Sequence, residues 1–388
     1  MKRSSILFLS NAYPDFETST HGIFIREMAL WLQKKGYRIS VVSPKIFRRS
    51  RYVEEQDGIN VYRFPFFARN KQLIEYDRIP YVRMVLYYLS GFIWALYVLL
   101  RRGCQLIHVH WAIPTGLIAI LAGTIFRRPV IVTIHGSDFR LAMGKSSLLK
   151  RAFFFVCRRA THINCVSRVM EEELKQMGIK GKKISSFPMG VEEAFFEGGR
   201  RREKKLEGRP FLILSNRNLL PIYNVSLLIR AIPLVLKEEP HTKFLIAGDG
   251  SERETLEKEA RNLRIGSSVV FLGRIAHSDM PTLLAEADIY VSTSLSDGTS
   301  VSLLEAMGSG AFPIVTDILS NREWIADGVN GFLVSPESER NLAGRIIEVI
   351  RNRTLIDQAH EKNQKLTEER ARWLSLIRRI DELYQGCK

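Results

Sequence analysis

Short β-branched runs alternate with segments of helical period along nearly the whole chain. In the first half the pattern predicts strands over 6–9, 38–42, 60–64, 106–110, 130–134, 162–166 and 183–187. Helical segments fall between them, notably one over 24–35 that stops at Gly36, a residue suited to the turn that ends a helix. The second half repeats the rhythm, with strands over 211–215, 244–247, 269–272, 289–292, 312–316 and 332–334. Strand–helix alternation of this kind makes neighbouring strands parallel, with helices covering both faces of each sheet. The expected class is α/β, built as two doubly wound parallel sheets.

Between the halves, Glu197 to Gly208 is Gly-rich and charged and reads as an exposed linker. The expected domains are therefore 1–195 and 196–367. A tail over 368–388 carries Trp373, Leu374, Ile377, Ile380 and Leu383 on one helical face and is expected to return to the first domain.

Composition sharpens this picture. The chain has 388 residues, 46% hydrophobic and 25% charged, enough for two cores and too apolar for disorder. Its net charge of +16 is lopsided: residues 1–195 hold 30 Lys and Arg against 14 Asp and Glu, whereas residues 196–388 hold 27 of each. The whole excess lies in the first half and points to an anionic partner, with phosphate-bearing lipid or an anionic membrane face favoured. Nucleic acid is the rival, but zinc-ligand, helix-turn-helix and RNA-binding signatures are missing from the sequence. The four cysteines have no metal-ligand spacing and read as reduced thiols. The first apolar run is too short for a signal peptide, so a cytoplasmic chain, peripheral on the inner membrane face, is expected. The uncharged stretch 84–100, flanked by Arg83 and by Arg101 and Arg102, reads as a core or interfacial helix rather than a span.

The residues with chemical potential cluster at predicted strand ends, where open α/β sheets bind ligands. In Ser296–Gly310 (SDGTSVSLLEAMGSG), Asp297 and Gly298 precede Thr299, Ser300 and Val301, which open a helix. Glu305 follows among Leu303, Leu304, Ala306 and Met307. A helix N-terminus offers free N–H groups and a positive dipole end to a diphosphate. A glutamate in an apolar surface needs a polar partner, and sugar hydroxyls would serve. Arg217 ends the first strand of the second half and can fork onto phosphate oxygens. Gly248 in the AGDG turn and Arg274 after Gly273 close the next two strands. In the first half, Gly22 precedes a helix after the first strand and suits phosphate approach. His135, in the turn HGSD at 135–138, can bond a sugar hydroxyl or assist a proton transfer. His108 and His110 share a strand face and read as packing or supporting residues, not as a metal pair.

With these residues together, the chain resembles the retaining glycosyltransferase family 4 (glycosyl transferases group 1), of two-Rossmann, GT-B architecture. The resemblance rests on Gly22, HGSD at 135–138, Gly248-Asp-Gly250, FLGRI at 271–275, ADIYVSTS at 287–294, the SDGTSVSLLEAMGSG block, and NREWI at 321–325 followed by DGVNG at 327–331. It implies two Rossmann-like domains facing across a cleft. The second carboxylate of the family's pair maps onto Glu305 and is expected to bond the donor ribose. The first maps onto Asp297, a shorter side chain, expected at the transferred sugar. Gly298, Thr299, Ser300 and Val301 supply backbone amides to the diphosphate. The family's phosphate-binding Arg and Lys map onto Arg217 and Tyr223, and a tyrosine there brings a hydrogen bond but no charge. Arg274 is a candidate to replace the missing cation.

The resemblance further implies transfer of a hexose-type sugar from a UDP-, GDP- or ADP-sugar to a glycan or phospholipid-linked acceptor, with retention and no metal or other cofactor. His135 would meet the sugar. Three other readings stay open: a sugar-nucleotide epimerase of similar architecture, a sugar phosphorylase, and a non-catalytic binder of nucleotide-sugars. Donor base, donor sugar, acceptor and linkage are not encoded legibly.

Overall fold

A computed structural model describes residues 4–16, 19, 21–68, 70, 80–144, 146–200 and 209–387. The chain divides into two compact units, 1–190 with 376–388, and 191–375.

The first unit holds an eight-stranded sheet. Its strands are β1 (Ser5–Leu9), β2 (Arg38–Lys45), β3 (Val53–Gln56), β4 (Ile59–Pro65), β5 (Leu106–His110), β6 (Val130–Ile134), β7 (His162–Cys165) and β8 (Ile184–Ser186). They lie in the order β3-β4-β2-β1-β5-β6-β7-β8. β1, β5 and β6 are buried at every position, as strands covered on both faces must be. The strand order reverses direction between β1 and β5, and the carboxyl ends at such a switch point are where open α/β sheets bind ligands.

One strand breaks the parallel rule. β3 pairs antiparallel with β4. Asp57 and Gly58 between them both have positive φ, at 49° and 77°. That pair of conformations is the two-residue hairpin turn that Asp-Gly favours. The charged edge strand VEEQ carries no apolar run, which is why the hydrophobic pattern passed over it.

Helices α1 (Ile23–Lys34), α2 (Tyr81–Arg102), α3 (Thr115–Phe126), α4 (Ser137–Met143), α5 (Ser147–Arg159) and α6 (Arg168–Gln176) complete the crossovers. α2 is seated firmly. Tyr87, Ala95, Val98 and Leu99 are buried, and Ser90 Oγ donates to the Pro65 carbonyl at 2.8 Å. Gly91 lets α2 approach its neighbours: a Cβ there would stand 2.7 Å from Ile118 Cδ1 on α3.

The second unit begins with α7 (Glu193–Arg200). Residues 197–200, expected in a linker, thus end a helix whose Phe195 and Phe196 are buried, while 201–208 lie outside the described residues. The sheet has six parallel strands: β9 (Leu212–Ser215), β10 (Lys243–Ala247), β11 (Val269–Gly273), β12 (Ile289–Ser292), β13 (Phe312–Thr316) and β14 (Phe332–Val334). Their order is β11-β10-β9-β12-β13-β14, and the reversal falls between β9 and β12. Helices α8 (Val225–Glu238), α9 (Arg253–Asn262), α10 (Met280–Glu286), α11 (Val301–Gly308), α12 (Leu319–Arg322), α13 (Glu339–Arg351) and α14 (Thr354–Ala371) surround it.

The expected single tail helix is two. α14 ends at Ala371, where extended Arg372 bridges to Val191, and α15 (Trp373–Gly386) starts again at once. Residues 376–388 group with the first unit. Ile377, Ile380 and Tyr384 of α15 are buried, and Tyr384 OH lies 2.5 Å from His108 Nδ1 on β5.

Candidate functional site

Each unit gathers candidate residues at its own switch point. In the second unit, Arg217 follows β9, whereas Asp297 and Ser300 follow β12, the adjacent strand. The fold thus brings together groups 80 or more residues apart. Arg217 Nη2 donates to Asp297 Oδ2 at 2.5 Å. Nη1 donates to Ser300 Oγ at 2.7 Å and Ser302 Oγ at 2.8 Å. The guanidinium carbon sits 4.3 Å from the centre of the Tyr223 ring, a cation–π stack. Burial opposes the charge on Arg217, but the Asp297 carboxylate, with Tyr223 and Tyr290, holds its pKa above the ordinary arginine value.

Two of the expected donor residues make contacts within the protein. The Tyr223 ring packs beneath Arg217 and against the apolar core. Asp297 has both oxygens engaged, Oδ2 by Arg217 and Oδ1 by the N–H of Gly298 at 2.9 Å. The short Asp side chain reaches the guanidinium and fixes its plane. Ser302, which sequence reasoning missed, joins the network and also accepts from Tyr290 OH at 3.1 Å.

Ser300 caps α11, accepting from the Leu303 N–H at 3.3 Å. The helix N-terminus, with Thr299 before it and Val301 as its first residue, therefore lies against Arg217. Glu305, one turn along α11, is buried at 6% exposure among Leu303, Leu304, Ala306 and Met307. Burial pushes its carboxyl pKa up to about 8; Arg217 pulls it down and Glu192 pushes it up. His277, a second residue missed from the sequence, places Nε2 4.0 Å from Glu305 Oε1.

Gly248 ties these strand ends together. Its N–H donates to the Gly273 carbonyl at 2.7 Å, and a Cβ on it would stand 2.2 Å from the Arg217 carbonyl oxygen. Only glycine permits so close an approach. Arg274 is half-exposed, with Nε 3.4 Å from Asp249 Oδ2. It pairs with the AGDG turn and does not join the Arg217 network.

In the first unit the chemistry is of another kind. His135 follows β6 and shares a hydrogen bond with His110 on β5, Nε2 to Nδ1 at 3.1 Å. Its ring lies 4.5 Å from that of Trp111 and 5.2 Å from that of Phe24. His108 stacks on His110 at 4.6 Å and bonds Thr133 Oγ1 at 2.8 Å as well as Tyr384. Burial drives the imidazole pKa values of His108 and His135 down to about 3, and that of His110 well below its ordinary value. His135 is thus a neutral hydrogen-bonding ring near pH 7.

Asp138 shares the His135 turn but does not touch the imidazole. Oδ1 accepts from the N–H groups of His135 and Gly136, each at 3.1 Å, and Oδ2 from that of Ala112 at 2.7 Å. The carboxylate clamps the ends of β5 and β6 in register. Gly22 forms the N-cap of α1 with φ 67°, and a Cβ there would stand 2.4 Å from the Ala12 carbonyl oxygen. The loop before it includes residues 17, 18 and 20, which lie outside the described residues. Among the described residues, no group of three or more His, Cys, Asp or Glu has a metal-holding arrangement.

Comparison with known proteins gives a consistent result. The chain is 26% identical to the alpha-monoglucosyldiacylglycerol synthase of Streptococcus pneumoniae, over 97% of this chain and 84% of the relative. It is 24% identical to a UDP-Gal:alpha-D-GlcNAc-diphosphoundecaprenol alpha-1,3-galactosyltransferase of Escherichia coli, over 74% of this chain and 76% of the relative. Two similar solved structures cover 99% of the chain. One is a sucrose-phosphate synthase from Thermosynechococcus elongatus, with TM-score 0.83, 16% identity and 99% of its own chain covered. The other is Anabaena HepE in complex with UDP and glucose, with TM-score 0.76, 18% identity and 100% of its own chain covered. At these identities they establish the two-domain GT-B fold. Residues 20–190 match the Glycosyl transferase 4-like domain and residues 199–373 match Glycosyl transferases group 1; the chain belongs to this family of GT-B glycosyltransferases.

Proposed function

We propose that this glycosyltransferase moves a hexose-type sugar from a nucleoside-diphosphate sugar to a lipid-linked or glycan acceptor, with retention and without a metal. The observation that carries the reading is the guanidinium of Arg217 locked against the N-terminus of α11, one helical turn from buried Glu305. Departure of a nucleoside diphosphate builds negative charge on phosphate oxygens. A fixed guanidinium and a helix N-terminus meet that charge without reorganising, which is where electrostatic catalysis gains most. Thr299, Ser300 and Val301 offer backbone N–H groups, and Gly248 keeps the facing loop close.

Glu305 binds the ribose in this reading. Two hydroxyl donors stabilise a carboxylate, so binding ionises an acid whose free pKa lies near 8 and releases a proton. Asp297 and Tyr223 act through Arg217: one fixes its plane from the edge, the other supports its face. His135 offers the sugar a neutral imidazole held by His110. The acceptor oxygen bonds the anomeric carbon as its C–O bond to phosphate breaks, and the leaving phosphate oxygen takes the acceptor proton. No enzymic nucleophile is needed.

Two resemblances support the substrate classes. HepE is described in complexes with UDP-glucose and with UDP and glucose, and the two bacterial relatives are named for glucosylated diacylglycerol and a diphosphoundecaprenol-linked sugar. We propose the same acceptor class here, met at an anionic membrane surface on the cytoplasmic side.

The test is to incubate the purified chain with UDP-, GDP- and ADP-sugars and follow release of nucleoside diphosphate, with and without a chelator. Release that survives chelation supports the proposal; a converted sugar on intact nucleotide supports an epimerase instead. Binding without turnover in the presence of lipid acceptors would leave a non-catalytic binder.

A further inference from the structure

The face of the first unit formed by α2, α3 and α5 is unusual for its combination of grease and positive charge. On α2, Val82, Val85, Leu89, Ile93, Tyr97 and Leu100 are 88%, 59%, 60%, 64%, 49% and 70% exposed. They recur every three or four residues, so they form one stripe along the helix. The adjoining helix α3 adds Leu121 and Ile125 at 52% and 61%. A contiguous apolar patch of this extent on a soluble surface marks an interaction site.

Charge says what covers it. Residues 81–159, which include all three helices, hold 11 Lys and Arg and a single acid, Asp138. That acid is buried in the clamp between β5 and β6. Arg127 and Arg128 just past α3, and Lys150, Arg151, Arg158 and Arg159 on α5, are exposed. A protein partner would be expected to meet some acid on this surface for register and selectivity. An apolar stripe on a stretch whose exposed charges are cationic fits an anionic bilayer, whose headgroups take the charge while the acyl boundary takes the side chains.

The same helix is long and apolar enough to cross a membrane by composition, but its packing forbids it. Tyr87, Ala95, Val98 and Leu99 are buried on its inner side, Ser90 bonds the backbone at the end of β4, and Gly91 fits against Ile118 with no space for a methyl group. Crossing would strip this side from the sheet. α2 therefore has one face in the core and one to offer the surface.

We infer that the exposed face of α2 and α3, with the flanking arginines, lies on the surface of an anionic bilayer, α2 parallel to the membrane plane. This rests on the proposed transfer to a lipid-linked acceptor and assigns the docking surface for it. The first unit is then the one that meets the lipid.

The experiment is vesicle flotation of the full chain with phosphatidylcholine vesicles, and with vesicles of which about half the lipid is phosphatidylglycerol. Wild type should float with the anionic vesicles only, and less at ~0.5 M salt. Leu89→Glu/Ile93→Glu should lower partitioning at least about tenfold, and Arg127→Glu/Arg128→Glu should erase the preference for anionic lipid. Should the first pair lower the melting temperature, Leu89→Ser/Ile93→Ser replaces it. Wild-type flotation unchanged in both kinds of variant, or none to begin with, overturns the assignment. A wild-type dimer by light scattering that the Glu pair dissolves, without vesicle binding, makes the face a self-association surface and also overturns it. Donor hydrolysis in water, measured on the same preparations, keeps the readings apart: turnover without flotation defeats the membrane face alone, and flotation without turnover defeats the transferase reading alone.

Discussion

The two units use the same scaffold and fill its switch point with opposite chemistry. The second unit builds with charge: a guanidinium pinned by a carboxylate, two serine hydroxyls and a tyrosine face, beside a helix N-terminus and a buried glutamate. The first builds with neutral rings: buried His108 and His110 and partly exposed His135, Trp111 and Phe24, in ring contact and hydrogen-bonded. A diphosphate gains charge as it leaves and needs a fixed cation. A sugar hydroxyl stays neutral and needs a directional partner that does not titrate. In the proposed reading the division of labour lies in side-chain chemistry, since the sheet topology at both switch points is alike.

The comparison predicts separable losses. Arg217→Ala should have the largest effect, lowering kcat/KM by about 1,000-fold, while Arg217→Lys recovers little because a lysine cannot replace the planar fork. Steady-state kinetics with donor varied checks this; a loss under tenfold would mean the guanidinium serves the fold instead. Next, His110→Ala should lower kcat about tenfold through a loosened His135 while leaving the dissociation constant for free nucleoside diphosphate unchanged. An altered nucleotide affinity in that variant would break the division between the units.

pH offers a third contrast. Lowered imidazole pKa values at His108, His110 and His135 mean that the unfolded first unit binds more protons below the ordinary histidine value of 6.5. Its stability therefore falls as pH drops below 6.5, opposed in part by Asp138, whose burial raises its pKa to about 6. Glu305 acts the other way: with its folded pKa near 8 against 4.5, native stability at that site falls as pH rises across that window. Amide exchange resolved by unit, measured at pH 5, 6 and 7, should show protection of β5 and β6 rising with pH. Uniform behaviour of both sheets would contradict it. The smallest effect belongs to Tyr223→Phe, which keeps the ring beneath Arg217 and should change donor KM less than about threefold; a large change would return the phenol to the phosphate site.

Much of this was legible in the chain. The thirteen apolar runs mark parallel strands because burial on both faces leaves the pattern little freedom. β3 escaped because a charged edge strand has no such run, although its Asp57-Gly58 turn was a usable signal. Asp297 and Arg217 were each identifiable as site residues, yet their mutual ion pair was not. Strand order, not linear spacing, brings residues 80 apart into contact, and each had been assigned to the ligand. The buried contact of Tyr384 with His108 was hidden for the same reason, and residues 197–200 of the expected linker end α7, whose Phe195 and Phe196 are buried.

The central claim is that Arg217, the start of α11 and Glu305 hold a nucleoside diphosphate. Calorimetric titration of UDP, GDP and ADP into wild type and Glu305→Ala tests it most directly. The account predicts that at least one of the three binds wild type, more tightly at pH 8.5 than at pH 6.5 with proton release, and that the variant loses about tenfold or more in affinity and most of that pH dependence at an unchanged melting temperature. Equal affinity for wild type and variant, or binding indifferent to pH, would contradict it.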